Sequence, residues 1–141
     1  MIERVLLSLT VGAALMAAVC NSVLAPELTG FVVLAQGGDV DSITPLILTP
    51  RRGEIEITVS MRTPCDSYTA AGTLSQTADT LSLAVLGSFA GQCPFDVVGN
   101  LIYRATIREV PPGNYRLRVV HEWSEGGWVP ETAVDRTVTV Y

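Results

Sequence analysis

Two runs of alternating apolar and polar residues, separated by a turn, mark the second half of the chain. In the first run the apolar side chains are Leu101, Tyr103, Ala105 and Ile107. In the second run they are Tyr115, Leu117 and Val119. Successive side chains of a strand point to opposite faces, so a repeat of two is typical of half-buried β-strands. Residues 101–123 therefore predict two strands, joined by a turn at residues 111–114 (PPGN).

Similar runs elsewhere predict further strands of the same kind. The clearest alternation is in residues 54–62 (EIEITVSMR), and Pro45 indicates that residues 43–49 form an edge strand. Weaker patterns predict strands at residues 67–76, 80–87 and 134–141, and residues 88–100 read as a loop. About seven strands with regular turn signals and no helix after the N-terminal segment predict an all-β sandwich or barrel.

The placement of arginines favours one way of joining the two central strands. If residues 111–114 closed a simple hairpin, Arg108 would lie opposite Arg116, and facing like charges destabilise a sheet. If the turn instead carries the chain to the other sheet, Arg104 and Arg108 lie beside Glu54 and Glu56. The next hairpin then places Arg116 opposite Asp135. We therefore predict an immunoglobulin-like antiparallel β-sandwich.

A short segment around this turn resembles a known family of sandwiches. Residues 110–119 (VPPGNYRLRV) resemble the L-P-P-G-x-Y-x-V-x-V run of extracellular immunoglobulin-like domains, including fibronectin type III-like and transthyretin-like modules of bacterial envelope proteins. The resemblance concerns architecture alone. It implies that Tyr115 is a structural corner residue whose hydroxyl bonds nearby backbone. Cys65 and Cys93 do not lie on the two strands that immunoglobulin domains bridge, so no true immunoglobulin domain is implied.

The N-terminus has the pattern of an export signal. A short charged lead, residues 1–4 (MIER), precedes an uncharged apolar run over residues 5–19 that is too short for a comfortable membrane span. We therefore assign residues 1–35 to a signal peptide or membrane anchor, forming a helix, plus linker. Residues 36–141 are assigned to the sandwich domain.

Three processing outcomes remain open for this segment. Cleavage after Ala25 fits the h-region but is hindered by Pro26, and cleavage after Ala35 has a cleaner local pattern farther away. Cys20 follows Ala-Ala-Val and is a candidate for lipid attachment, although Val19 departs from the usual bacterial pattern. A retained anchor reaching Ala35 is the third outcome. In each case the protein is exported to the periplasm, cell surface or medium, and any membrane contact is made by the N-terminal segment.

Cysteine usage agrees with an oxidising compartment. Once the leader is removed, the two remaining thiols are Cys65 and Cys93, for which we predict a disulfide bond. The alternative is a pair of free buried thiols. Two isolated cysteines and one histidine do not supply the usual four zinc ligands, so no metal or cofactor is expected.

The chain shows no pattern that indicates catalysis. His121 is the only histidine, and no Gly-x-Ser-x-Gly elbow or phosphate-binding glycine motif accompanies it. We predict a structural histidine near the lip of the core and assign no catalytic residue. The net charge of −5, from 14 acidic residues against 9 arginines, argues against nucleic-acid binding.

The best candidate for recognition is residues 121–129 (HEWSEGGWV), a hairpin tip rich in aromatic and acidic residues. The candidate binding residues are His121, Trp123, Glu125 and Trp128. Tryptophans on exposed loops often anchor protein or glycan ligands. The alternative is a Trp123–Trp128 cross-strand pair that only stabilises the hairpin.

These observations lead to one expected function with two alternatives. We expect an exported, non-catalytic binding or structural module of a bacterial envelope. The first alternative is a secreted inhibitor of a hydrolase that presents residues 88–100 or the tryptophan tip. The second is a minimal secreted hydrolase that relies on His121.

Overall fold

The computed structural model describes residues 24–37, 47–89, 91, 93 and 98–141, and this part of the chain is all-β, with no helix. Its strands are β1 (Glu27–Gly37), β2 (Ile47–Arg51), β3 (Glu54–Thr63), β4 (Tyr68–Thr77), β5 (Thr80–Phe89), β6 (Gly99–Arg108), β7 (Gly113–Trp123) and β8 (Glu131–Val140). Eight described strands thus replace the seven that were predicted. No described helix is long and apolar enough to cross a membrane.

The strands form two sheets that pack face to face. One sheet has the order β1-β6-β3-β2 and the other β4-β5-β7-β8. The alternating apolar side chains of the central strands fill the space between them, as the sequence predicted. The fully buried members are Ile55, Ile57, Met61, Leu81, Leu83, Val85, Leu101, Tyr103, Ala105, Ile107, Leu117 and Val119. Their period of two therefore sets which face of each sheet is internal.

The turn between β6 and β7 carries the chain from one sheet to the other, so the predicted crossing is confirmed. Arg108 pairs with Glu54 of the neighbouring strand at 3.0 Å, and Arg116 pairs with Asp135 at 2.7 Å. In the register of β7 and β8, Asp135 lies opposite Arg118 and reaches Arg116 diagonally. Arg108 and Arg116 thus each pair with an acidic side chain, whereas a simple hairpin would have placed them opposite each other.

The sandwich is not purely antiparallel, which corrects the predicted fold. β5 and β7 pair in parallel, with Leu81 opposite Leu117. β5 and β7 run in the same direction because β6, the strand between them in sequence, runs in the opposite direction in the other sheet. β5 takes the central position, and β4 the edge, because the inward side chains of β5 are fully buried whereas those of β4 beyond Tyr68 are small or half-buried.

All of β1 except Gln36 and Gly37 lies within residues 1–35, for which the sequence predicts a leader or anchor plus linker. It pairs with β6 antiparallel, and its Phe31 ring stacks on Tyr103 at 5.0 Å between centroids. Two register shifts, after Leu28 and after Val33, break its alternation, so the local sequence lacks the period of two that predicts a strand. The predicted N-terminal helix and Cys20 lie outside the described residues.

Two other boundaries differ from the predictions. β2 begins at Ile47 and contains Pro50, whereas Pro45 lies outside the described residues. The loop predicted at residues 88–100 is shorter, because its first two residues belong to β5 and its last two to β6. β2 is an edge strand as predicted.

Candidate binding site at the disulfide-linked end

Three connections meet at one end of the sandwich, where β1, β3, β5 and β7 finish. They are the β3–β4 turn (residues 64–67), the described residues of the β5–β6 connection (91, 93 and 98), and the β7–β8 loop (residues 124–130). We call their combined surface the loop platform. Two sequence segments were considered for recognition. The described residues of the first, residues 88–100, and the tryptophan tip therefore lie at the same end of the molecule.

A disulfide bond between Cys65 and Cys93 joins two of these connections, as predicted, with 5.7 Å between the Cα atoms. Thr63 donates a hydrogen bond of 2.6 Å to the Cys65 carbonyl and fixes the turn. The backbone of Gly99 packs directly against this corner. A Cβ atom at position 99 would lie 2.5 Å from the Cys65 carbonyl oxygen, so this approach requires glycine.

The two tryptophans pack edge to face, with 5.2 Å between ring centroids. Trp123 is the last residue of β7, and its indole N–H donates to the Arg62 carbonyl of β3 at 2.9 Å. This bond ties the two sheets together at the platform. Trp128 lies in the loop, half-buried, so the contact joins a strand to a loop and is not a cross-strand pair.

The β7–β8 loop folds back over the β3–β4 turn. The Tyr68 hydroxyl donates to the Glu125 carbonyl at 3.4 Å, and the Ser124 amide donates to the Gly87 carbonyl at 3.0 Å. Gly126 has a φ of +88°, and a Cβ there would lie 3.1 Å from the Pro64 ring, so glycine suits both demands.

The packing partners of this loop were not found from the sequence. Pro64 and Tyr68 are separated from it by more than fifty residues, and nothing in their local pattern indicates the contact. The exposed side chains of the loop include Glu125 and Val129, of which Val129 is 80% exposed. The surface therefore combines a half-buried tryptophan and an exposed valine with an acidic rim.

His121 lies inside the core and not at its lip, which corrects the prediction. Only 1% of its surface is exposed, and its ring packs edge-on against Tyr103 and Trp123. Its Nε2 atom is 2.9 Å from the Tyr103 hydroxyl. Its Nδ1 atom is 3.5 Å from a carboxylate oxygen of Glu131 and has no hydrogen-bond partner among the described residues.

This arrangement favours a neutral histidine with a defined tautomer. Burial lowers the pKa of His121 below its ordinary value of 6.5, and the nearby Glu131 carboxylate opposes part of that effect. The carboxylate favours the proton on Nδ1, so Nε2 accepts from the Tyr103 hydroxyl. Burial also raises the pKa of Tyr103. The buried, neutral imidazole of His121 is therefore better suited to an internal hydrogen bond with Tyr103 than to proton exchange with a substrate.

The opposite end of the sandwich, which we call the crossing end because the β6–β7 turn changes sheets there, holds Tyr115 and an open groove. The Tyr115 hydroxyl donates to the Pro111 carbonyl at 2.8 Å, across the turn that changes sheets. The groove, about 430 Å³ in volume, is lined by Leu24, Arg52, Gly53, Glu54, Arg108, Glu109, Val110 and Pro111. Glu54 within it already pairs with Arg51 and Arg108. The described residues include no cluster of histidine, cysteine, aspartate or glutamate that could hold a metal ion.

The predicted site residues thus fall into separate groups. Trp123, Trp128 and Glu125 lie together with the disulfide at the loop platform, His121 lies beneath them in the core, and Tyr115 lies at the far end. The candidate site is the platform surface, with His121 as part of its support. Compared with known proteins, the chain matches no protein-family model, no curated protein and no solved structure.

Proposed function

We propose that this chain is an exported, non-catalytic β-sandwich module of a bacterial envelope that binds a protein or glycan through the loop platform. The observation that carries the proposal is the cross-linking of this end. The Cys65–Cys93 disulfide and the Trp123–Arg62 hydrogen bond hold connections from both sheets in one rigid surface. A disulfide here also fits an oxidising compartment.

A rigid platform is well suited to recognition. Loops that are already ordered lose little conformational entropy when a ligand binds, so more of the contact energy appears as affinity. Trp128 and Val129 supply apolar contact area, and Glu125 supplies a polar rim, the usual arrangement of a binding patch.

The direction of the chain also favours a platform that faces outwards. β1 begins at the groove end and finishes at the platform, so it spans the sandwich over 11 residues, or roughly 35 Å. A leader or anchor that precedes Leu24 would therefore emerge at the end opposite the platform. The binding surface would then point away from the membrane.

The position of β1 limits where a leader could be cleaved without removing the strand. Cleavage after Ala35 would leave only Gln36 and Gly37 of the strand and would remove the ring that stacks on Tyr103. Cleavage after Ala25 keeps the whole strand, as does lipid attachment at Cys20. We propose that the mature protein retains β1.

The burial of His121 supports a non-catalytic role. A hydrolase that used this imidazole would need it within reach of substrate, whereas the ring is enclosed and engaged by Tyr103. The immunoglobulin-like resemblance is likewise kept as a proposal about architecture. The crossing turn and the Tyr115–Pro111 hydrogen bond support it, whereas the parallel β5–β7 pair departs from it.

The test compares two aromatic-to-alanine variants at opposite ends of the exported protein. Trp128→Ala alters the platform, and Tyr141→Ala removes an aromatic ring that is 73% exposed at the far end. Wild type and both variants are incubated with peptidoglycan sacculi, with a glycan array and with a panel of secreted hydrolases. The incubation with hydrolases also measures inhibition of each enzyme, which tests the alternative that the protein is a hydrolase inhibitor.

We expect one probe to bind the wild type and Tyr141→Ala equally, and Trp128→Ala at least about tenfold more weakly, as for a central aromatic anchor. Melting temperatures show whether Trp128→Ala remains folded. Equal binding by all three proteins, or no binding by the wild type, would refute the platform as the site. The intact mass of the exported protein locates its N-terminus, and a chain beginning at Gln36 would refute retention of β1.

A further inference from the structure

The edge strands of the two described sheets differ in how open they are to pairing with another strand. β1 is interrupted by two register shifts, and β2 is only five residues long and contains Pro50. β8 has a register shift opposite Val119 and Val120 and carries three charged residues. β4 pairs with β5 over ten consecutive positions without interruption, and it contains no proline and no charged residue.

An unprotected edge of this kind is unusual. The outer side of an edge strand presents N–H and C=O groups that are free to bond another strand, and proteins usually block it with charges, prolines or bulges. β1, β2 and β8 each carry such a feature. No described strand occupies the outer side of β4.

The hairpin that contains this edge is also nearly free of charge. Residues 68–89, which form β4, its turn and β5, contain one charged residue, Asp79, and it lies in the turn. The outward side chains of β4 are exposed and small: Thr69, Ala71, Thr73, Ser75 and Thr77. In the same sheet, β7 and β8 expose Arg116, Arg118, Glu122, Glu131, Asp135 and Arg136. The uncharged half of the sheet is therefore a surface of small side chains beside an edge that no described strand covers.

We propose that β4 pairs with β4 of a second copy of this chain, antiparallel and about a twofold axis. The two β4-β5-β7-β8 sheets then form one continuous sheet across the dimer. A twofold axis produces an isologous interface in which the same strand serves both subunits.

A second copy suits this edge because the strand is compatible with itself. With the axis near Gly72, Ala70 of one copy faces Leu74 of the other, and Ala71 faces Thr73. Because β4 has no charged side chain, pairing it with a second β4 places no like charges opposite each other. Such facing charges would destabilise the pair. The chain carries a net charge of −5, so two copies approach most readily through an uncharged surface.

The packing of the same molecule limits the length of the paired segment. The Gln36 side chain donates to the Tyr68 carbonyl at 2.5 Å and so occupies the first acceptor of the strand. With the axis near Gly72, pairing between copies therefore runs from Thr69 to Ser75. Because the two β4 strands are antiparallel, the two loop platforms would lie at opposite ends of the dimer.

The test introduces a lysine on one edge strand and, as a control, on another. Thr73→Lys places a charge at the centre of the proposed contact, and Thr132→Lys places it on the edge strand β8, at a threonine that is also exposed and lies opposite the uncharged Val120. Ser75→Lys is a second probe of β4 in case Thr73→Lys fails to fold. Sedimentation equilibrium of the exported protein over a wide concentration range measures the mass, and circular dichroism checks the fold.

We expect the wild type and Thr132→Lys to be dimers. The β4 variants should dimerise at least about tenfold more weakly, because each places a charge within the paired edge, and in Thr73→Lys the lysines of the two copies are diagonal neighbours. A monomeric wild type would overturn the proposal, as would folded β4 variants that dimerise like the wild type. Binding of a synthetic peptide of residues 68–77 by a monomeric wild type would assign this edge to an extended peptide instead. The platform assay is read separately, so failure of either proposal leaves the other testable.

Discussion

The two ends of this sandwich are stabilised in different ways, although the same strands connect them. At the loop platform a disulfide, an indole hydrogen bond and a buried histidine–tyrosine pair hold the two sheets together. At the crossing end the visible interactions are exposed ion pairs, such as Arg116 with Asp135, and one tyrosine hydroxyl.

This difference indicates which end resists perturbation. The disulfide is covalent, and the buried hydrogen bond between His121 and Tyr103 is costly to break because its groups have left water, whereas exposed ion pairs are screened by solvent and salt. We therefore expect the end with the candidate binding surface to resist perturbation more strongly. Four substitutions test this contrast, in order of decreasing expected effect.

Removing the disulfide should have the largest effect. The bond closes a loop with a sequence separation of 28 residues, and on the chain-entropy model its loss costs about 3–4 kcal/mol. We expect this decrease in the free energy of unfolding for the Cys65→Ser/Cys93→Ser double variant, measured by urea denaturation. The reduced wild type serves as the control and should behave alike. Equal midpoints for oxidised and reduced wild type would show that the bond does not stabilise the platform.

Acidification should weaken the core beneath the platform. The folded pKa of His121 is lowered by burial, whereas in the unfolded chain it returns to about 6.5. Below pH 6.5 the unfolded chain therefore binds a proton that the folded protein does not. Stability from this group is complete above pH 6.5 and falls with pH towards the folded pKa, by at most about 1.4 kcal/mol per pH unit.

The variant His121→Gln isolates this contribution, because its side chain does not titrate and can still accept from Tyr103. We expect its free energy of unfolding to change less between about pH 5 and 6.5 than that of the wild type. An identical slope in both proteins would mean that His121 has the same pKa folded and unfolded.

Loss of the tyrosine hydroxyl at the crossing end should have a moderate effect. Tyr115→Phe removes the hydrogen bond to the Pro111 carbonyl and retains the buried ring, so we expect a loss of about 1 kcal/mol. Thermal unfolding measures it, and Tyr141→Phe at an exposed position is the matched control. A loss as large as that from the disulfide would contradict the contrast between the ends.

Neutralising the exposed ion pair should have the smallest effect. Arg116 lowers the pKa of Asp135 below its ordinary value of 3.8, so the pair contributes stability above that pH and loses it in stronger acid. We expect Asp135→Asn to lower the melting temperature slightly at low salt and not at high salt. Its pH range lies below that of His121, so the two effects are separable. A large loss of melting temperature that persists at high salt would contradict the view that solvent and salt screen this ion pair.

Much of the fold could be predicted because it depends on local periodicity. The strands around Ile55, Leu81 and Leu101 were found from alternation, and the crossing between sheets was found from the positions of Arg108 and Arg116. β1 was missed because its bulges break the period and its apolar side chains resemble a leader. The parallel pairing of β5 and β7 was missed because local patterns do not reveal which strand of a hairpin lies inside a sheet.

The candidate site shows the same division. Sequence alone determined that Trp123, Trp128 and Glu125 share a glycine-rich tip, and that Cys65 and Cys93 are suited to form a bond. Only the tertiary structure decided that the tip folds over Pro64 and Tyr68, and that His121 is buried in the core beside Tyr103. Alternation and turn chemistry act between neighbours along the chain, whereas these contacts arise from the packing of two sheets whose residues are distant in sequence.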